Sequence, residues 1–298
     1  MVFLLRIKEK MRLTIIGGHI RTTPGTFSTD KILKIDFLGG LGNRVREETA
    51  RLPVPTAYMS GAWDTQRNVA YIFGGSTFEG ISNQIIKYDP QSQQTIIMQP
   101  VLPTARVYTS VVWDPVMNVA YILGGRNSGG TQLTDILKFD PSANNGQGSI
   151  TQVGALPSPQ GFLGYIAAFY EPVQRKIYVF GNQHINSQYQ YFIVMFNPDN
   201  GQSTVLTSPS MPTDLFLSMS ISYDEDRQIA YLFRLYGNIA IPALAFDTRR
   251  MTITQVVSSS YNIENLGASS IQAAYSTLLG KTVQVSDFVG NRQIVFFS

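Results

Sequence analysis

One eight-residue run occurs twice in this chain with a single substitution, as NVAYIFGG at Asn68–Gly75 and as NVAYILGG at Asn118–Gly125. In the first copy Val69, Tyr71 and Phe73 alternate with Ala70 and Ile72, and both alternating sets are apolar. A short apolar run rich in β-branched and aromatic residues reads as a strand buried on both faces. Gly74-Gly75 closes the run too early for a helix. Upstream, Met59–Trp63 is a second apolar strand, joined to the first by the polar hairpin loop Asp64–Asn68, whose Asp can cap its own turn. Downstream, after a polar loop, Ile85–Tyr88 and Thr95–Met98 give two more strands, stopped by Asp89-Pro90 and Pro100. The unit is four short antiparallel strands ending in a proline turn.

The same unit can be followed along the whole chain. Aligned on Tyr71, the second strands start at positions 14, 71, 121, 178, 231 and 284, a spacing of 50 to 57 residues. The strand before each ends in a large side chain: Trp63, Trp113, Tyr170 or Tyr223. The third strands read Ile32–Asp36, Ile85–Asp89, Ile136–Asp140, Val194–Asn197 and Leu244–Asp247. A period near fifty built from four strands predicts a β-propeller. Six anchors predict six blades, over 1–52, 53–102, 103–156, 157–211, 212–260 and 261–298. Met1–Ile7 falls at the innermost strand of the first blade and Arg292–Ser298 at the third strand of the last. The expectation is therefore an all-β, six-bladed propeller in one domain. Its last blade either has three strands and a free edge or belongs to a longer sequence.

The succession strand, polar hairpin, Tyr-x-Phe-Gly-Gly, loop, Tyr-Asp-Pro, strand, Leu-Pro resembles the kelch repeat, most closely in the second and third units. The kelch family carries a Trp on the fourth strand. Here Trp63 and Trp113 end the first strand instead, which suggests a divergent branch with its aromatic packing moved inward. The resemblance implies a binding module that presents rim loops to a protein or peptide partner.

Composition narrows the field. The net charge is +3 and no basic block exceeds Arg249-Arg250, so no nucleic-acid footprint is expected. With no cysteine, disulfides, thiolate nucleophiles and Cys-ligated zinc are excluded. The copper chemistry of galactose-oxidase-like propellers needs such a cysteine. No apolar run approaches a membrane helix, and Met1–Leu5 is too short for a signal-peptide core. A soluble cytoplasmic protein without a cofactor is the expectation.

No carboxylate pair stands out as acid and base. Asp64, Asp114, Glu171 and Asp224 recur at one turn position, and Asp36, Asp89, Asp140 and Asp247 at another. Recurrence at turns favours local capping over catalysis. His19 and His184 fall in opposite blades of a six-fold ring, too far apart to share a metal, so no metal site is expected. The glycine pairs lack the helix and Lys-Ser/Thr of a phosphate loop. What remains is the rim: Arg21–Asp30, Ser76–Ser82, Arg126–Thr134, Gln183–Gln188 and Arg234–Asn238. Its candidate binding residues are Arg106, Arg126, Arg234, Tyr236, Tyr58, Tyr108, Tyr165, Asn182 and His184. Arg and Tyr are the side chains that most often anchor interfaces. Two alternatives stand beside the binding module. One is a propeller enzyme acting on a sugar or other small molecule in the central channel. The other is the substrate-recognition part of a larger adaptor.

Overall fold

The computed structural model describes residues 3–7, 12–22, 25–36, 45–157, 166–185, 188–207, 218–236, 239–256, 271–276, 281–286 and 293–297. The chain is all-β and forms six successive antiparallel meanders, the blades of a propeller. Five are four-stranded and the last, of Ile271–Ser276, Lys281–Ser286 and Gln293–Phe297, has three described strands. The chain divides into two compact units, Met1–Val153 and Gly154–Ser298.

The second blade shows how the sequence builds the sheet. Ser60–Asp64 pairs with Val69–Phe73, which pairs with Ile85–Asp89, which pairs with Gln94–Ile97. Every residue of Val69–Phe73 is buried, as its two apolar faces require. The turn between the first two strands is held by Asp64, whose Oδ1 accepts the N–H groups of Gln66 and Arg67 at 2.9 Å each. Asp114, Glu171 and Asp224 accept from the backbone two and three residues on in the same way. All four are fully buried. Four residues after each acid the chain turns left-handed, at Asn68, Asn118, Arg175 and Gln228. Asp89 and Asp247 cap the turn after the third strand by the same device. Asp36 has no described side chain.

Within each unit the first strands of neighbouring blades run side by side. The core lies between the faces of adjacent sheets. Tyr71, Phe73 and Ile85 of the second blade meet Ile122, Leu137 and Phe139 of the third. Phe139 sets its edge against Tyr71 at 5.0 Å and 66° and against Phe73 at 5.4 Å and 76°. The fourth and fifth blades repeat this: Phe246 meets Tyr178 at 5.3 Å and 66° and Phe180 at 5.4 Å and 75°. Edge-to-face pairs of this kind add roughly 0.5–1.5 kcal/mol beyond burial. The tryptophans serve the same seams. Trp63 is buried between the first two blades, and Trp113 stacks on Tyr71 at 6.2 Å.

A candidate binding surface at the hairpin ends of the blades

Pairing register places the Gly-Gly end of each second strand beside the segment leading into the first strand. In the second blade Ser60 faces Phe73, and Ala57 bridges Ser76. The glycines let the next blade come close. Gly75 N–H donates to the Arg106 carbonyl at 2.9 Å, and Arg106 N–H donates to Ser82 O at 3.2 Å. The first blade does the same, with Gly18 N–H donating to Thr56 O and Thr56 N–H to Thr29 O. A Cβ on Gly74 would sit 2.3 Å from the Arg106 carbonyl oxygen, at φ +61°. The pairs Gly17-Gly18 and Gly74-Gly75 therefore lock one blade to the next.

These bonds make a continuous belt. The hairpin Ser76–Thr77/Gly80–Ile81 is bonded to Ala57 on one side and, through Ser82, to Arg106 on the other. Val107 bridges Arg126, and Tyr108 N–H donates to Tyr58 O at 3.2 Å. Side chains leave the belt in four places. Phe78 stands at the hairpin tip and is 82% exposed. The tip is set by Thr77 Oγ1, which donates to Gly80 O and accepts from Glu79 N–H. Arg126 is exposed, and its Nε donates to Gly130 O at 3.1 Å across a tight loop. The Tyr58 and Tyr108 rings lie 4.9 Å apart, tilted by 52°, and both are half-buried. Both tyrosines also hold the left-handed backbone, at φ 55° and 58°. A bulky residue there costs about 1–2 kcal/mol, and such strain gathers where a side chain must be aimed.

Arg106 is elsewhere. It is fully buried, with a bidentate pair to Asp135 at 2.8 Å twice and further bonds to Gly124 O and Thr104 O. The expected rim role gives way to a structural one, because every polar edge of the guanidinium is already used inside the blade. Asn182 is likewise buried, within the second strand of the fourth blade.

The outer loops of the fourth and fifth blades are also different from expectation. Instead of loops over Gln183–Gln188 and Arg234–Asn238, strands run on as Lys176–Ile185 with Gln188–Asn197 and as Ile229–Tyr236 with Ile239–Asp247. Without a left-handed glycine pair nothing turns the chain aside. His184 pairs with Tyr189, Arg234 with Ile241 and Tyr236 with Ile239 in the backbone register, and their side chains lie outside the described part. Tyr165 lies outside the described residues.

Sequence reading missed Phe78. The signal was there, a large apolar residue amid turn formers in Thr77-Phe78-Glu79-Gly80. Phe27, 57% exposed on the corresponding hairpin of the first blade, carries the same signal. Among the described residues no group of three His, Cys, Asp or Glu is placed to hold a metal ion. Among them, too, no helix is long and apolar enough to cross a membrane.

No family model matches the chain, and no curated protein matches it. In solved structures 466 chains match, so the likeness is to a widely used architecture. One, described as "Structure of YjhT", superposes with a TM-score of 0.65 at 13% identity, over 86% of this chain and 83% of that one. At that identity the likeness carries the fold alone: this chain has a β-propeller fold.

Proposed function

We propose that the chain is a divergent kelch-type propeller acting as a non-catalytic binding module, with a protein or peptide partner seated on the belt of the second and third blades. The observation that carries this reading is Phe78, an aromatic ring 82% exposed at the tip of a hairpin whose own turn is already satisfied. It contributes nothing to the core, and an exposed aromatic and an exposed arginine on one bonded belt are the composition of an interface anchor. The Tyr58–Tyr108 pair on the same belt fits the same use, two half-buried rings held together at a cost in backbone energy.

The test is affinity capture from the source proteome with the unaltered chain, Phe78→Ser and Arg126→Ala. Both variants change exposed side chains, so their melting temperatures should match that of the parent. Each should recover the specific partner at least about tenfold less well, the loss typical of an interface anchor. Equal recovery by all three would end the assignment. Arg106→Ala is unsuitable here, since it removes a buried pair and would act through folding.

A further inference from the structure

The second blade carries another feature, along its outermost strand. In the backbone ladder Gln94–Ile97 pairs with Ile86–Asp89 alone, while the Thr95 hydroxyl donates to Arg51 O of the first blade at 2.6 Å. Met98 N–H donates inward to Ile85 O. Alternation therefore turns the N–H and C=O of Thr95 and Ile97 outward, and among the described residues no backbone hydrogen bond meets them. Open edges are normally blunted by charge or proline. The fourth strand of the first blade follows that rule with Arg46, Glu47, Glu48 and Arg51. Here no residue from Pro90 through Ala105 is charged, and Ile96 and Ile97 are 51% and 43% exposed.

A groove of about 610 Å³ opens beside this strand, walled on its far side by Pro141–Gln147 of the third blade. Its lining contains two cations, Arg67 and Lys87, and no carboxylate. Arg67 is engaged with Asp64 at 2.8 Å. Lys87 stands directly across from Ile96 in the ladder; its ammonium makes no hydrogen bond and no ion pair within 4 Å among the described residues, although its charge reaches Asp89 two positions on. An open backbone edge, an apolar side chain and an unpaired ammonium within two positions form a complementary set.

We infer that this edge and groove take an extended, acidic peptide segment by strand addition. The segment bonds to the outward groups of Thr95 and Ile97, lays an apolar side chain on Ile96 and sets a carboxylate against Lys87. Main-chain bonds supply affinity in this mode, and the alternate side chains supply selectivity. The site is independent of the belt and of its partner.

The experiment is a selection of ten-residue peptides from a random display library on the intact chain, counter-selected on Ile97→Pro. Proline at an outward-facing N–H of an edge strand is tolerated by the fold. Selected peptides should carry Asp or Glu at one preferred position. They should bind Lys87→Glu at least about tenfold more weakly, bind Phe78→Ser unchanged, and slow amide exchange at Thr95 and Ile97. A selection yielding no clone that distinguishes Ile97→Pro overturns the proposal. So does binding that survives Lys87→Glu, or self-association of the chain through this strand that the peptides do not displace. Loss of binding in Phe78→Ser would assign the peptides to the belt and equally overturn the second site.

Discussion

Asp64, Asp114 and Asp224 sit at the same turn and accept the same backbone bonds, but the third residue on differs: Arg67, Met117 and Arg227. Arg67 and Arg227 also reach the second carboxylate oxygen, at 2.8 and 3.5 Å. Among the described residues the buried Oδ2 of Asp114 has no such partner, because Met117 cannot donate. Met117 is 55% exposed, so an arginine has room. Met117→Arg should raise unfolding stability by about 1 kcal/mol in a urea titration, the net worth of a typical hydrogen bond, because the long exposed side chain gives up freedom to make it. The glycines offer a second comparison. Gly74→Ala places a Cβ 2.3 Å from backbone and should cost more than about 2 kcal/mol. Gly146→Ala, at φ +85°, meets nothing within 4 Å, and its cost should stay near the roughly 1–2 kcal/mol of a left-handed φ. Thermal melts of the two variants side by side would show whether close approach, rather than φ alone, explains the pair. Tyr108→Asn separates function from folding. Asparagine tolerates the left-handed backbone, so relief of strain offsets the lost ring contact and stability should move by less than about 1 kcal/mol. Binding at the belt should fall sharply.

Between elements, polar side chains join the sheets where the apolar core stops. The buried carboxylate of Glu48, on the fourth strand of the first blade, pairs with Arg46 at 2.8 Å and accepts from Gln93 of the second. Gln93 Oε1 accepts from Thr49 N–H at 3.1 Å. Burial, with the nearby Glu48 charge, holds the Tyr88 hydroxyl well above the ordinary tyrosine range. In the second unit Tyr223 donates to Glu171 at 3.1 Å between the first strands of the fifth and fourth blades, and burial with the Glu171 charge raises its hydroxyl. Gln93→Ala leaves a buried carboxylate short of a donor and should destabilise by about 2 kcal/mol, measured by chemical denaturation. The length of the outer hairpins is set here too. Left-handed glycine pairs at Gly17-Gly18, Gly74-Gly75 and Gly124-Gly125 end the second strand, whereas the ten-residue strand Lys176–Ile185 runs on.

Across the whole molecule the repeated acids and tyrosines set the range of pH in which the blades hold. Burial raises Asp89, Asp140 and Asp247, but hydrogen bonds from the following turn, helped by nearby Lys or Arg, outweigh it and hold all three below the usual carboxylate range. A carboxyl depressed in the folded state stabilises above its unfolded pKa and loses that contribution as pH falls through its folded one. Stability should therefore decline below about pH 4, the ordinary carboxylate range. Tyr71 and Tyr178 are pushed up to about 12 by burial and by the Asp64 and Glu171 charges. A raised tyrosine stabilises below its unfolded pKa near 10 and loses that contribution as pH rises toward 12. Ellipticity followed across the pH scale should show a plateau bounded by these two limbs, with phenolate absorbance in the native state rising late.

The strands, their number per blade and their turns were legible in the sequence because each depends on a few neighbouring residues. Alternation of apolar side chains, an acid at the head of a turn and a glycine pair at its end act over distances of two to five positions. The fate of individual side chains was not. Arg106 had every mark of a surface anchor until Gly124 and Asp135, 18 and 29 residues away, closed round its guanidinium. Phe78 had every mark of a loop residue, and only the packing of the hairpin against Ala57 and Arg106 leaves its ring in solvent. Local chemistry determined the blade; which groups the blades hide and which they offer was decided by contacts between segments far apart in the chain, where burial and hydrogen bonding are settled together.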